Sequence, residues 1–421
     1  MRILKSIGTG FRATIVVALA LACHASSHTR DDARAPAAPY PHASEPIGTL
    51  RATYDGTLSP ELAATTFRNI DRLLPTRTVH ASSHPTLLSP ASEPLGTVRI
   101  ADKGSTYSLE QYLTLNRVAG LLVLQDGRIK TELYRLGATR QTRWMSMSVA
   151  KSITSTLIGA AIRQGKIGGV SDPVTRYVPA LAGSAYDGVS VRDVLTMSSG
   201  VRWSETYTDP TSDRRRLLDA QISLTPGSAM RLMSALPRAA APGTMNNYNT
   251  GETQVAAELL RHAVQEPLAD YLADRIWQRY GMEADANWWL ESPGGTEIGG
   301  SGFSAVLRDY ARFGQFFLDG GIAGGEQILP EGWTREAGTP KTLAGGRTID
   351  YGYLWWPGTS DVARRHHAFG AEGIHGEFVY IDPVAKAVIV VWSARPSPTQ
   401  GAVVDDWAFF DAVVAALTTG S

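Results

Sequence analysis

Trp144-Met-Ser-Met-Ser148-Val-Ala-Lys151-Ser-Ile153 is the stretch on which the reading of this chain turns. From Ser148 onward, Val149, Ile153, Leu157, Ile158, Ala161 and Ile162 recur at helical spacing. That pattern predicts a largely buried helix from Ser148 to Arg163. Residues three apart share a helix face, so the side chains of Ser148 and Lys151 are within reach of each other. A serine hydroxyl is a poor nucleophile at neutral pH. A lysine kept neutral by burial can take its proton. Only Lys151, among the lysines of the chain, has a serine three positions earlier. A lysine in the first turn of a buried helix is unusual unless paired or functional. The stretch points to acyl transfer without a histidine base, although the four residues alone also fit a solvated helix start.

Composition narrows the field. The 421 residues suffice for one large domain with an insertion, or for two domains. A hydrophobic content of 43% is that of an ordinary globular protein. The formal net charge is zero, and the short run Arg214-Arg215-Arg216 reads as a solvated face, so no nucleic-acid partner is expected. The tryptophan pairs Trp288-Trp289 and Trp355-Trp356 suggest a core or pocket with flat walls. The adjacent histidines in Arg364-Arg-His366-His367 point to different sides and make no metal site. Neither a metal nor a cofactor is expected.

The first residues read as an export signal. Met1 to Ala13 carries Arg2, Lys5 and Arg12 and no acid, and Thr14 to Ala22 is apolar but too short to span a membrane stably. Ala20-Leu21-Ala22 meets the small-x-small cleavage rule. Residues 1–22 are therefore expected to be a signal peptide, with the protein in the periplasm or anchored to a membrane. Cys23, the single cysteine, follows directly. Two readings fit it: a bacterial lipoprotein site that carries a lipid anchor, or an incidental cysteine after a plain secretory signal. No disulfide can form within the chain, so stability rests on the core.

Residues 23–50, rich in Ala, Ser, His and Pro through about Glu45, read as a tether before a domain at 51–421. The first helix start falls at Ser59-Pro60-Glu61. Pro75 to Ser105 looks loop-like. Leu121-Leu-Val-Leu124 and Arg128-Ile-Lys-Thr-Glu-Leu-Tyr134 flank Asp126-Gly127, a hairpin signal. Glu377-Phe-Val-Tyr-Ile-Asp382 and Ala387-Val-Ile-Val-Val-Trp392 form a second hairpin turned at Pro383, and Asp405 to Leu417 a terminal helix. The expected fold class is α/β in the α+β sense. One antiparallel sheet from N- and C-terminal strands is flanked by helices, with a mostly helical region at about 165–318 beside it and a cleft between.

Pro242-Gly-Thr-Met-Asn-Asn-Tyr248-Asn249-Thr250-Gly marks a loop before a helix at Gln254 to His262. A tyrosine there is placed to aim its hydroxyl at a reacting centre, and a neighbouring ammonium would ease loss of its proton. An ordinary turn tyrosine is the plainer alternative.

At this point the chain resembles the serine hydrolases of the β-lactamase and penicillin-binding-protein superfamily. Within it, the chain is most similar to the class C-like branch of carboxylesterases and 6-aminohexanoate-dimer (nylon oligomer) hydrolases. The resemblance runs from roughly Leu50 to the C-terminus. Ser148-Val-Ala-Lys151, Val191-Arg-Asp-Val-Leu-Thr-Met-Ser-Ser-Gly200, and Pro242-Gly-Thr with Tyr248-Asn249 carry it. Gly300-Ser-Gly-Phe-Ser, Arg308-Asp-Tyr-Ala-Arg-Phe-Gly314 and Gly373-Ile-His-Gly376 complete the ordered set.

The resemblance implies a β-lactamase-like fold with Ser148 as nucleophile. Lys151 and Tyr248 would share the proton work, with the identity of the base open. The backbone N–H groups of Ser148 and Ile374 would form the oxyanion hole, in a register open by two residues. Two departures stand out. Ala371-Glu372-Gly373 replaces the usual Lys-Thr-Gly, and Thr250 stands two places after the tyrosine where Asn is common, with Asn249 beside it. Both argue against a dedicated β-lactamase. Tyr207, in Val201-Arg-Trp-Ser-Glu-Thr-Tyr207, matches a tyrosine that helps an amide leaving group in the nylon-oligomer branch; packing near Trp203 fits it equally. Tyr207, Trp203, Asn249, Gly373, His375 and Trp355 are the candidate substrate contacts. For His375 a structural role competes with a pocket wall.

The expectation is an exported serine hydrolase cleaving a small-molecule ester or amide through a Ser148 acyl-enzyme. Its rivals are a D-Ala-D-Ala-type peptidase, a weak β-lactamase, and a non-enzymatic binding or sensor protein that acylates once.

Overall fold

The computed structural model describes residues 39–418. The elements that position the site begin with α1 (Leu50–Asp55), α2 (Pro60–Phe67), β1 (Thr76–Val79), β2 (Arg99–Asp102), β3 (Ser105–Ser108) and α3 (Leu109–Leu115). β4 (Val118–Gln125), β5 (Arg128–Tyr134), β6 (Arg143–Met145) and α4 (Val149–Arg163) follow. The middle of the chain adds α5 (Asp213–Ile222), α6 (Thr250–Val264), β7 (Ala286–Trp289), β8 (Phe303–Val306) and α7 (Leu307–Leu318). Then come β9 (Trp356–Pro357), β10 (Phe369–Glu372), β11 (Phe378–Asp382), β12 (Ala387–Ser393) and α8 (Asp406–Thr418).

The main sheet has the order β9-β10-β11-β12-β4-β5, with every neighbouring pair antiparallel. Both expected hairpins are present. Asp126 and Gly127 take φ of +48° and +71°, the left-handed pair that a two-residue hairpin turn requires. Alternation along β4 divides the interior in two. Leu121 and Val123 enter a core with Tyr112 of α3 and Phe409, Phe410 and Val413 of α8. Leu122 and Leu124 enter the other, with Val379, Val388, Val390 and Phe313, Phe316 and Phe317 of α7. Covering both faces explains why β4 is apolar at nearly every position. Burying each such side chain stabilises the fold by about 1.5–3 kcal/mol.

A second antiparallel sheet, β1-β7-β8-β6, was not expected. β1 lies in the stretch read as loop, and β7 and β8 lie in the region read as mostly helical. Each of its strands has three or four residues, too few to display a two-residue period. The sheet matters to the site because β6 leads directly into Ser148.

The tether at 23–50 needs correction. Residues from Tyr40 onward belong to the fold. The Tyr40 hydroxyl donates to the Arg68 carbonyl at 2.6 Å, and the Arg143 guanidinium lies 4.0 Å from its ring centroid. Both oxygens of Glu45 accept from Arg68, at 2.6 and 2.7 Å. α1 starts at Leu50, with Thr49 Oγ1 accepting from the Ala52 N–H. Polar and aromatic anchors tie this segment down, so it lacks the apolar periodicity that reveals a helix in sequence. The expected signal peptide and Cys23 lie outside the described residues.

α4 is buried on almost every side. Its hydroxyls find partners in neighbouring segments: Ser152 donates to the Leu354 carbonyl, Thr154 to Gly299 and Ser155 to Tyr353. A helix this rich in Ser and Thr can therefore be buried without leaving those groups unpaired. Met147, just before Ser148, has φ of +39°, an uncommon conformation for a residue with a side chain.

Candidate active site

Ser148 occupies the N-cap of α4, but its hydroxyl does not cap the helix. It accepts instead from Lys151 Nζ at 2.8 Å. Lys151 is 2% exposed and donates also to the Gly300 carbonyl at 3.0 Å. That carbonyl comes from the Gly299-Gly300-Ser301-Gly302 segment entering β8. A Cβ on Gly300 would stand 2.2 Å from Thr253 Oγ1 and 3.4 Å from Lys151 Nζ, so glycine lets the backbone approach the amine. Burial pushes the Lys151 pKa down to about 7; the Glu205 carboxylate pulls it up, and Arg214 pushes it down further. A substantial share of this amine is therefore neutral at neutral pH.

Tyr248 lies over the same centre. Lys151 Nζ is 5.3 Å from its ring centroid. Trp356 stacks on the ring at 5.6 Å, and Tyr351 meets it edge-on at 6.2 Å. The phenol does not titrate as anticipated from sequence. Burial raises its pKa well above the ordinary tyrosine value, Glu205 raises it further, and the Ser148 hydroxyl offsets only part of this. Tyr248 is a phenol, not a phenolate, at neutral pH.

The backbone N–H groups of Ser148 and Ile374 have no hydrogen-bond partner among the described residues. Ile374 follows β10 in the turn Gly373-Ile-His-Gly376, closed by the Gly376 N–H on the Gly373 carbonyl at 3.0 Å. A Cβ on Gly373 would come within 2.9 Å of the Ser146 carbonyl, so this turn packs against the segment leading to Ser148. Two free donors and a serine at a helix N-terminus make a site suited to negative charge on a tetrahedral intermediate.

The family model described as Beta-lactamase matches residues 111–413. The chain belongs to the beta-lactamase family. Within that family it is 31% identical over 349 residues to the 6-aminohexanoate-dimer hydrolase of Paenarthrobacter ureafaciens, covering 79% of this chain and 85% of that one. A Bacillus anthracis structure assigned as a 6-aminohexanoate-dimer hydrolase has a TM-score of 0.73 at 23% identity, covering 85% of this chain and 93% of that one. EstCE1, a hydrolase with promiscuous acyltransferase activity, has a TM-score of 0.57 at 17% identity, covering 73% and 96%. The two structures share the fold with this chain, which is a hydrolase of the serine hydrolase type.

The residues nominated as substrate contacts of this beta-lactamase family member separate on burial. Tyr207 is half-buried, stacked on Tyr54 at 6.3 Å, and close enough to Tyr248 for the two phenols to influence each other. Trp355 is a correction: it is fully buried against Phe317 and Phe369, and its neighbour Trp356 faces Tyr248. His375 is a correction too. It has no exposed surface, packs on Phe67 at 4.7 Å and bonds through Nδ1 to the Arg395 carbonyl at 2.7 Å. Burial pushes its pKa down to about 4, so it is a neutral structural imidazole. Asn249 is buried as the N-cap of α6, with Oδ1 accepting from the Glu252 N–H. Trp203 is buried with Nε1 donating to Glu205 Oε2. Gly373 is buried, and it shapes the turn through its backbone.

Glu205 was missed. It accepts from Trp203 Nε1, from the Thr250 N–H at 3.0 Å and from Thr250 Oγ1 at 2.5 Å. It thus ties the loop of Tyr207 to the start of α6 beside Tyr248. A lone acid in a polar loop carries no signal of this role in sequence.

Proposed function

We propose that this hydrolase opens ester or linear amide bonds through an acyl-enzyme on Ser148. One observation carries the reading: Lys151 Nζ lies 2.8 Å from Ser148 Oγ while burial holds its pKa near 7. Neutral Lys151 takes the Ser148 proton as Oγ attacks the substrate carbonyl carbon. The negative charge that develops on the carbonyl oxygen is held by the N–H groups of Ser148 and Ile374. The Tyr248 phenol gives its proton to the departing alkoxide or amine and recovers one from Lys151. In deacylation a water loses its proton along the same path, attacks the acyl carbon and releases the acid, restoring Ser148.

Ala371 and Glu372 supply no cation where β-lactamases hold a substrate carboxylate, and burial keeps Glu372 near pKa 7. This favours substrates without that carboxylate, among them linear amides of the kind named for the Paenarthrobacter ureafaciens relative. Labelling with a fluorophosphonate should modify Ser148. Parallel turnover of a p-nitrophenyl ester, a linear amide and nitrocefin should favour the first two. Absence of a Ser148 adduct refutes the reading, a dominant nitrocefin rate replaces it with β-lactam hydrolysis, and a lasting adduct without turnover replaces it with a sensor. Export rests on residues 1–22 alone. The mature N-terminus tests it: a lipid-bearing Cys23 marks an anchored form, an unmodified end after cleavage a secreted one, and an intact Met1 neither.

A further inference from the structure

Behind the Ile374 N–H lies a carboxyl that the proposed reaction does not use. Glu377 is 2% exposed. Its Oε2 accepts from the His375 N–H at 3.1 Å, and its backbone carbonyl accepts from the Gly373 N–H at 2.7 Å. The residues on either side of Ile374 are therefore both tied to Glu377. A Cβ on Gly373 would stand 2.3 Å from Oε2, so the turn is folded tightly round this carboxyl. The other oxygen, Oε1, is buried without a partner among the described residues.

We propose that Glu377 is a positioning residue that fixes the aim of the Ile374 N–H at the substrate oxygen. The inference rests on the reaction at Ser148 proposed above. The other ties of the turn, the Gly376 N–H on the Gly373 carbonyl and His375 Nδ1 on the Arg395 carbonyl, also fall beside Ile374, which itself makes no backbone bond among the described residues.

The charge state of Glu377 follows from its surroundings. Burial pushes its pKa up to about 8, while the N–H groups of Glu377 and His375 and the charge of Arg395 hold it lower than burial alone would. Arg395, beyond β12, is already paired with both oxygens of Asp406 on α8. Tyr310 on α7 is kept neutral by burial, and His375 is neutral. The segment leading into α4 contributes Met145, Ser146 and Val149, none of them ionisable in this range. At neutral pH Glu377 is thus mostly the neutral acid. Its ionisation places a negative charge behind the oxyanion hole and opposes charge growing on the substrate.

The test compares Glu377→Gln and Glu377→Leu in the full protein, measuring kcat and KM for a p-nitrophenyl ester from about pH 6 to about pH 10. Removing one oxyanion donor costs about 10²–10³ in kcat, so the Leu variant, which only misaims one, is expected to lose about 10- to 100-fold with KM little changed. The Gln variant keeps an acceptor for His375. It should retain kcat within about threefold at neutral pH and lack the decline above about pH 8 expected of the unaltered protein. A Leu variant with unchanged kcat, or a Gln variant with the same alkaline decline, overturns the role of Glu377. If the Leu variant does not fold, the Gln profile decides alone. Fluorophosphonate labelling of unaltered protein separates the two claims: no label at Ser148 refutes the reaction itself, whereas a label with insensitive Glu377 variants refutes only the positioning role.

Discussion

The Lys151 amine donates to the Ser148 hydroxyl at 2.8 Å, one helical turn away, in a setting where the amine is 2% exposed. The pair sets a pH dependence with a definite sign. Activity needs the neutral amine, so kcat/KM should rise as pH increases through about 7, ahead of the decline above about pH 8 that ionisation of Glu377 would bring. Stability moves in the same direction. The unfolded amine keeps its proton up to its ordinary value of 10.5, whereas the folded one loses it near 7. Between these values the unfolded state binds more protons, so raising pH through this window favours the native state through Lys151. Lys151→Met removes both effects. It should lower kcat by about 10²–10⁴ and leave the melting temperature unchanged or higher, as read by steady-state kinetics and thermal unfolding.

Tyr248→Phe keeps the ring that stacks on Trp356 and removes only the hydroxyl. An amide leaving group needs a proton and p-nitrophenolate does not. The variant should lose about 10²-fold or more on a linear amide and clearly less on the p-nitrophenyl ester. Equal losses on both substrates would move Tyr248 from leaving-group protonation to an earlier step.

Glu205→Gln removes a charge that raises the pKa of Lys151 and of Tyr248. The acid limb of the kcat/KM profile should shift to lower pH, because the lysine becomes neutral sooner. The glutamine can still accept from Thr250 and Trp203, so thermal stability should change little. A limb that stays in place would show that Glu205 acts through its bonds and not its charge.

Trp355 and Trp356 are adjacent but have different jobs. Trp355→Ala empties a site between Phe317 and Phe369 and should cost about 3–5 kcal/mol of stability. Trp356→Ala removes a partly exposed ring from the face of Tyr248, so it should change KM more than melting temperature.

The features legible in the sequence share a short range and a regular period. The Ser148 helix, the Asp126-Gly127 hairpin and the hairpin turned at Pro383 each announce themselves within some fifteen residues. The order of the motifs located Ser148, Lys151 and Tyr248, which the fold brings together from α4 and the loop before α6. The second sheet stayed hidden because β1, β6, β7 and β8 are short and far apart in the chain. Burial separated Trp355 from Trp356 and made His375 structural, and a sequence of alternating or adjacent aromatics does not encode which one faces a cleft. The Tyr248 shift runs opposite to expectation for the same reason: the family resemblance implies a lysine beside the phenol, but not the burial that raises its pKa. Gly300, Glu205 and Glu377 act through a carbonyl, a loop tie and a turn respectively, and none of these depends on a recognisable pattern.

The most direct test of the central claim is the rate at which a fluorophosphonate labels Ser148 as a function of pH, in the unaltered protein and in Lys151→Met. The account predicts a rate that rises with pH to an inflection near 7, located at Ser148 by peptide mass, and a slow rate without that inflection in the variant. Labelling of Ser148 that is equally fast in both proteins, or that shows no inflection in the unaltered one, contradicts the assignment of Lys151 as the base.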